Sequence, residues 1–107
     1  TGSVLFCDIV GYTQISEGLT PTETASMLNS YYRLFSKAAN ACHGTIDKFI
    51  GDGIVAFFGA PYSRGVKEDA IACVKMAIEM RQRMETLRDE WARKGISAPF
   101  HIRMGIN

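Results

Sequence analysis

The sequence predicts an α+β domain in which an antiparallel sheet packs its helices against one face. Apolar patterns follow one another in the order strand, helix, strand, strand, helix, strand. The two middle strands flank a glycine-rich turn, which is typical of a β-hairpin. A chain of 107 residues, 47% of them hydrophobic, can bury one core. We therefore expect a single domain over residues 1–107, with the βαββαβ order of the ferredoxin-like fold.

Local signals predict the first strand and the first long helix. Residues 4–9 (VLFCDI) form a short apolar run that Gly11 closes, and this length favours a buried strand. A helix is expected to begin at residues 20–23 (TPTE), which combine an N-cap threonine, a proline at the first helical position and a capping-box glutamate. Gly44 is expected to end this helix in a left-handed conformation. The face that packs on the sheet is predicted to hold these residues: Leu28, Tyr31, Phe35, Ala38 and Cys42.

A β-hairpin is predicted in the middle of the chain. In residues 45–50, Ile46, Lys48 and Ile50 alternate with Thr45, Asp47 and Phe49. Residues 51–53 (GDG) form a turn, and residues 54–58 are apolar again. The second strand is expected to end at residues 59–61 (GAP), because proline cannot donate to a sheet ladder.

A second long helix and a last strand complete the predicted fold. The helix spans about residues 67–94, and Gly95 follows it. Its core face is predicted to hold Ile71, Val74, Ile78, Leu87 and Trp91. Met76, Met80 and Met84 recur at helical spacing, which indicates packing rather than a cofactor site. Alternation of Phe100, Ile102, Met104 and Ile106 predicts the strand.

Composition excludes several functions. Twelve basic and eleven acidic residues give a formal charge of +1, which argues against a nucleic-acid partner. No apolar run approaches the roughly 20 residues that span a bilayer, so this segment is expected to make no membrane contact. Three cysteines without CxxC spacing suit reduced thiols in the cytoplasm. Because the chain begins without Met and ends within an apolar pattern, we expect it to be part of a larger protein, either membrane-attached or multidomain.

Asp8 and Asp52 stand in unusual surroundings for carboxylates. Asp8 interrupts an apolar strand, and Asp52 lies between two glycines at the hairpin turn. In the predicted fold the first strand neighbours the hairpin, which brings the two acids together. Carboxylates that close repel each other unless a cation stabilises both, and oxygen ligands favour Mg²⁺ or Mn²⁺. The alternative for Asp52 is an ordinary turn residue.

Two further features suggest a nucleotide. The segment Ile9, Val10, Gly11, Tyr12 and Thr13 turns from the strand into a short helical stretch, and backbone amides at such a corner can bind phosphate. Lys48 lies within a predicted strand, where it is either a solvated edge residue or a reader of a base. A lysine only donates hydrogen bonds, so it matches the N1 acceptor of adenine, whereas a glutamate would match guanine.

These motifs resemble those of class III nucleotidyl cyclases of the bacterial adenylyl cyclase type. The resemblance rests on residues 6–13 (FCDIVGYT), residues 47–53 (DKFIGDG) and a strand ending in residues 58–61 (FGAP). It implies the class III cyclase fold and two Mg²⁺ or Mn²⁺ ions held by Asp8, Asp52 and the backbone carbonyl of Ile9. It also implies phosphate contacts from the amides of Val10 to Thr13, and adenine recognition by Lys48.

The resemblance further implies an adenylate cyclase, a phosphorus-oxygen lyase that converts ATP into 3′,5′-cyclic AMP and pyrophosphate for intracellular signalling. It implies a head-to-tail homodimer in which one subunit supplies the metals and the other the lysine. A second base-contacting residue, an asparagine and a transition-state arginine are expected beyond Asn107.

Alternative functions remain open at the level of sequence. The domain could be a catalytically silent module that binds nucleotide or dimerises, or a guanylate cyclase. A third reading is an RNA-binding ferredoxin-like domain with Phe49, Phe57 and Phe58 as stacking platforms. The near-neutral charge and the absence of an RNP1-like motif argue against that reading.

Overall fold

The computed structural model describes residues 3–59, 64–95 and 101–107, and the side chains of residues 48–50 lie outside that description. Its elements are β1 (Ser3–Ile9), α1 (Tyr12–Glu17), α2 (Pro21–Ala41), β2 (Thr45–Ile50), β3 (Gly53–Phe58), α3 (Val66–Arg93) and β4 (Ile102–Ile106). The sheet has the order β2-β3-β1-β4, and every neighbouring pair is antiparallel. The predicted α+β, ferredoxin-like arrangement is therefore confirmed.

One face of the sheet is buried under the helices and the other face is open. Leu5, Cys7 and Ile9 of β1 belong to a single core with residues of both long helices. The intervening residues of β1 point the other way because side chains alternate along a strand. Phe6 is 50% exposed on this open face. The helices therefore cover one side of the sheet, as the sequence predicts.

Helix α2 begins as expected and ends differently. The capping box is present: the amide of Glu23 donates to Thr20 Oγ1 at 3.1 Å, and the amide of Thr20 donates to Glu23 Oε1 at 2.9 Å. The expectation that Gly44 adopts the left-handed conformation is wrong, since His43 does so with φ 62°. Gly44 is required for space instead, because a Cβ there would lie 2.9 Å from the Phe58 ring.

The predicted core face of α3 is only partly right. Leu87 and Trp91 are buried, but Ile71, Val74 and Ile78 are exposed by 39%, 47% and 52%. The buried stripe follows a three- and four-residue spacing through these residues: Cys73, Met76, Met80, Met84, Leu87 and Trp91. The methionines therefore pack in the core, as predicted. Flexible, polarisable methionine side chains fill this layer in place of the branched residues.

The hairpin and the last strand form where the sequence places them. Gly51 adopts a left-handed φ of 58° in the turn between β2 and β3. A bulge between Ile46 and Lys48 shifts the register of β2, so that Lys48 lies opposite Val55. In β4, Ile102 and Met104 pack against the core. The predicted contribution of Phe100 lies outside the described residues.

The three cysteines are free, and Cys7 and Cys73 are buried. Within the ranges that the structure describes, no helix has the length and apolar character needed to cross a membrane.

Candidate active site

The sheet brings Asp8 and Asp52 to the same end of β1. Asp8 is the last but one residue of β1, and Asp52 lies in the turn before β3. Because β3 pairs with β1 in the register Cys7 to Ile54, the turn lies beside the end of β1. The Asp52 carboxylate (Oδ2) accepts a hydrogen bond from the backbone amide of Ile9 at 3.0 Å. This hydrogen bond joins Ile9 and Asp52, which are 43 positions apart in sequence, next to Asp8.

Asp8 lies on the open face and has a cationic partner. Its side chain is 37% exposed, and Arg103 lies directly opposite it in β4. Arg103 Nε donates to Asp8 Oδ1 at 3.2 Å, and Nη2 donates to Oδ2 at 3.0 Å. The hydrogen bond to Asp8 raises the pKa of Arg103 above its ordinary value. Each aspartate therefore has a hydrogen-bond donor: the Arg103 guanidinium for Asp8 and the Ile9 amide for Asp52.

Arg103 is the site residue that sequence reasoning missed. It is 95 positions from Asp8, and only the pairing of β1 with β4 joins the two. The usable signal was the alternation in the last strand, which places Arg103 on the face opposite Ile102 and Met104.

A groove of about 350 Å³ lies over this part of the sheet. It is lined by Phe6, Cys7, Asp8, Gly53, Ile54, Val55 and Arg103. Apolar surface from Phe6 and Val55 thus adjoins the Asp8 and Arg103 charges. Such a mixture of apolar walls and a few polar groups suits a small-molecule site.

The corner after Asp8 has the backbone shape expected of a tight strand-to-helix turn. Gly11 is left-handed, with φ 67°, and α1 begins at the next residue. The amide of Ile9 donates to Asp52, and that of Val10 donates to the carbonyl of His101 at 2.8 Å. Amides at the N-cap and in the first turn of a helix have no intrahelical acceptor, and in α1 these include the amides of Gly11, Tyr12 and Thr13. The predicted phosphate contacts of these residues stay a prediction.

Lys48 occupies β2, one strand beyond β3 as seen from β1. Its backbone lies opposite Val55, which lines the groove. The Lys48 side chain is not among the described side chains, so its recognition of adenine stays a prediction.

The residue before Asp8 in β1, Cys7, has a thiol that is buried in the core. Tyr31 Oη donates to Cys7 Sγ at 3.3 Å. Burial is the main cause that raises the pKa of Cys7 to about 11; the negative charges of Asp8 and Asp52 contribute to the rise, and the hydrogen bond from Tyr31 opposes it. Burial also raises the pKa of Tyr31 well above its usual range. Both groups are therefore neutral supports of the site and not nucleophiles.

The raised Cys7 pKa predicts a loss of stability at alkaline pH. An ordinary thiol, as in the unfolded chain, ionises near pH 9.0, whereas folded Cys7 ionises near pH 11. The contribution of the Cys7 thiol to the free energy of unfolding is complete below pH 9. It declines as the pH rises toward 11, because the thiol loses its proton at a lower pH in the unfolded chain than in the folded protein. Between pH 8 and pH 10 we expect Cys7 to lower the free energy of unfolding by about 1 kcal/mol.

Urea denaturation at the two pH values measures this loss. The Cys7→Ser variant keeps an acceptor for Tyr31 but has no thiol. Between pH 8 and pH 10 its free energy of unfolding is therefore expected to fall by about 1 kcal/mol less than that of the wild type. An equal fall in both proteins would contradict the assignment.

The donor set near Asp8 fits a hard divalent cation. It consists of carboxylate oxygens from Asp8 and Asp52, with main-chain atoms of Ile9 beside them. No group of three or more histidine, cysteine or acidic side chains that could hold a metal occurs in the described parts of the chain. Two carboxylates leave room for oxygen ligands from a phosphorylated substrate, which is the arrangement that Mg²⁺ usually takes.

Comparisons with known proteins indicate one family for the chain. The sequence pattern of the family described as adenylate and guanylate cyclase catalytic domain matches residues 1–107. Adenylate cyclase 1 of Rhizobium meliloti is 34% identical over 105 residues, which are 98% of this chain and 15% of that protein. The adenylate cyclase of Anabaena cylindrica is 38% identical over 88 residues, which are 82% of this chain and 16% of that protein.

Two solved structures are similar throughout. The adenylyl cyclase CyaB from P. aeruginosa is 48% identical with a TM-score of 0.95, over 98% of this chain and 54% of that one. The guanylyl cyclase Cya2 is 35% identical with a TM-score of 0.91, over 98% and 52% respectively. The chain thus spans about half of these solved chains and about 15% of the two curated relatives. From its sequence, its sheet order and its structural similarity, the chain belongs to the family of class III adenylate and guanylate cyclase catalytic domains.

Proposed function

We propose that the protein is an adenylate cyclase that forms 3′,5′-cyclic AMP and pyrophosphate from ATP. The main support is the hydrogen bond from the Ile9 amide to Asp52, because it joins the hairpin turn to the end of β1 beside Asp8. In this proposal, both carboxylates act on one phosphorylated ligand. The similarity to bacterial adenylate cyclases supports the reaction class.

In the proposed reaction the ribose 3′-oxygen attacks the α-phosphorus, the bond to the β-phosphate oxygen breaks, and pyrophosphate leaves with the electron pair. The 3′-hydroxyl proton passes to solvent. Asp8, Asp52 and the carbonyl of Ile9 would hold two Mg²⁺ or Mn²⁺ ions. When bound, these ions lower the pKa of the 3′-hydroxyl and neutralise charge on the triphosphate.

The chain's own groups would position the nucleotide. The amides of Tyr12 and Thr13 would donate to phosphate oxygens, and the left-handed Gly11 lets the backbone turn towards the ligand. The apolar groove wall of Phe6 and Val55 would exclude water from the reacting centre.

We further propose that the site is completed in a head-to-tail homodimer in the cytoplasm, with the partner subunit supplying the adenine-reading lysine. Lys48 lies in β2, the edge strand of the described sheet, whereas Asp8 lies in β1, with β3 between them. This separation is compatible with a site in which one subunit binds the metals and the other supplies the lysine.

The decisive experiment is an assay of the complete protein with Mn²⁺ and ATP, with cyclic AMP and pyrophosphate measured together. We expect equal amounts of both products. Nucleotide binding without either product, from ATP or from GTP, would identify a silent nucleotide-binding module instead.

Nucleotide choice provides a separate prediction. Because lysine can only donate to the base, Lys48→Glu is expected to lower the ratio of ATP to GTP turnover by about tenfold or more. Lys37→Glu makes the same charge reversal at an exposed position of α2 and should leave the ratio unchanged. An unaltered ratio in the Lys48 variant would assign Lys48 to a solvated strand position.

A further inference from the structure

The ion pair between Asp8 and Arg103 is built by the sheet itself. The two residues lie directly opposite each other in the β1–β4 register, on the open face. The guanidinium donates from Nε to one carboxylate oxygen and from Nη2 to the other. Two parallel hydrogen bonds of this kind fix the orientation of the carboxylate as well as its charge.

This pair occupies the oxygen atoms that a metal ion would require. Both oxygens of Asp8 accept from Arg103, at 3.2 and 3.0 Å. A divalent cation that binds Asp8 must therefore replace at least one of these hydrogen bonds. The guanidinium and the metal also carry charges of the same sign, so each disfavours the other at close range.

The pair is suited to exchange because it is exposed. Arg103 is 71% exposed and Asp8 is 37% exposed, and ion pairs open to solvent are weak. Arg103 also lines the same groove as Asp8, and the negative charge of Asp52 contributes to the raised pKa of Arg103. Without a cation, the carboxylates of Asp8 and Asp52 would repel each other at the end of β1.

We propose that Arg103 is the resident counter-ion of Asp8 in the metal-free protein and that a divalent cation displaces it. The inference rests on the proposed function in taking Asp8 as a metal ligand. Arg103 thus orients the Asp8 carboxylate before the metal binds. By competing for the same oxygens, it also raises the metal concentration at which the site fills.

The test is the affinity for Mn²⁺ without nucleotide, followed in the complete protein by the electron paramagnetic resonance signal of free Mn²⁺. We expect Arg103→Gln to bind Mn²⁺ about three- to tenfold more tightly than the wild type, since the competing cation is gone. Arg83→Gln is the matched control: it removes the same charge and an ion pair to Glu79 of 2.8 Å, both within α3. Its Mn²⁺ affinity should equal that of the wild type.

A third variant separates pairing from charge. Arg103→Lys keeps the positive charge and loses the two-donor geometry, so its affinity is expected to lie between those of the wild type and Arg103→Gln. An affinity equal to that of the wild type would assign the effect to charge alone and would overturn the exchange.

The outcomes also distinguish this inference from the proposed function. If Asp8→Asn weakens Mn²⁺ binding but Arg103→Gln does not strengthen it, the counter-ion role is refuted and the metal site stands. If Asp8→Asn leaves Mn²⁺ binding unchanged, Asp8 is not a ligand and both proposals fail.

Discussion

Asp8→Asn is expected to lower the metal-dependent cyclase activity of the complete protein about a thousandfold or more. The carboxamide has nearly the shape of the carboxylate but no negative charge, so it cannot hold a divalent cation against water. The fold should persist because Asp8 is on the open face and its partner Arg103 is largely exposed. The loss should therefore be chemical and not structural.

Turnover at saturating Mn²⁺ and ATP, together with thermal unfolding, measures this prediction. Asp47→Asn is a suitable control, since Asp47 is an exposed acid at the bulge in β2. Its activity should stay within about twofold of the wild type, in keeping with the small effects of surface substitutions. An Asp8→Asn enzyme with wild-type turnover would remove Asp8 from the mechanism.

Gly44→Ala is expected to destabilise the protein by about 2 kcal/mol, through overpacking of the core. A Cβ at this position would lie 2.9 Å from two ring carbons of Phe58, closer than carbon atoms can approach. The ring is 2% exposed and is enclosed by the core, so it has little room to move away. Strand β3 or the start of β2 must shift instead.

Chemical denaturation compares this variant with Gly105→Ala in β4. There a Cβ meets nothing within 4 Å, and the backbone φ is not positive, so the change should cost less than about 0.5 kcal/mol. Equal stabilities of the two variants would show that Gly44 is not required for space.

The order of the helices and strands along the chain could be predicted from sequence because most of these elements are marked by local signals. The capping box at Thr20 fixes the start of α2, and the turn at Gly51 fixes the hairpin. Once these elements are known, the βαββαβ order leaves few ways to arrange the sheet. The meeting of Asp8 and Asp52 followed from that arrangement.

The errors concern choices that only packing decides. Val74 and Ile78 are more hydrophobic by type than the methionines, yet the rotation of α3 on the sheet turns Met76 and Met80 inward. At the end of α2, the glycine rule predicts a left-handed Gly44, but contact with Phe58 decides which residue there must be small.

Long-range partners could not be predicted for the same reason. The pairing of Arg103 with Asp8 depends on the register of β4 against β1, and a shift of one residue would turn Arg103 towards the core. The bulge before Lys48 likewise changes the register of β2 without a signal in its composition. A single sequence does not specify such registers until the core is assembled.

The proposed chemistry requires Asp8 and Asp52 to bind the same cations. A crystal structure of the complete protein with Mn²⁺ and a non-hydrolysable ATP analogue measures this directly, through the anomalous signal of manganese. We expect manganese bound by carboxylate oxygens of both residues, with Arg103 turned away from Asp8. Carboxylates that point apart, with nucleotide bound and no manganese between them, would contradict it.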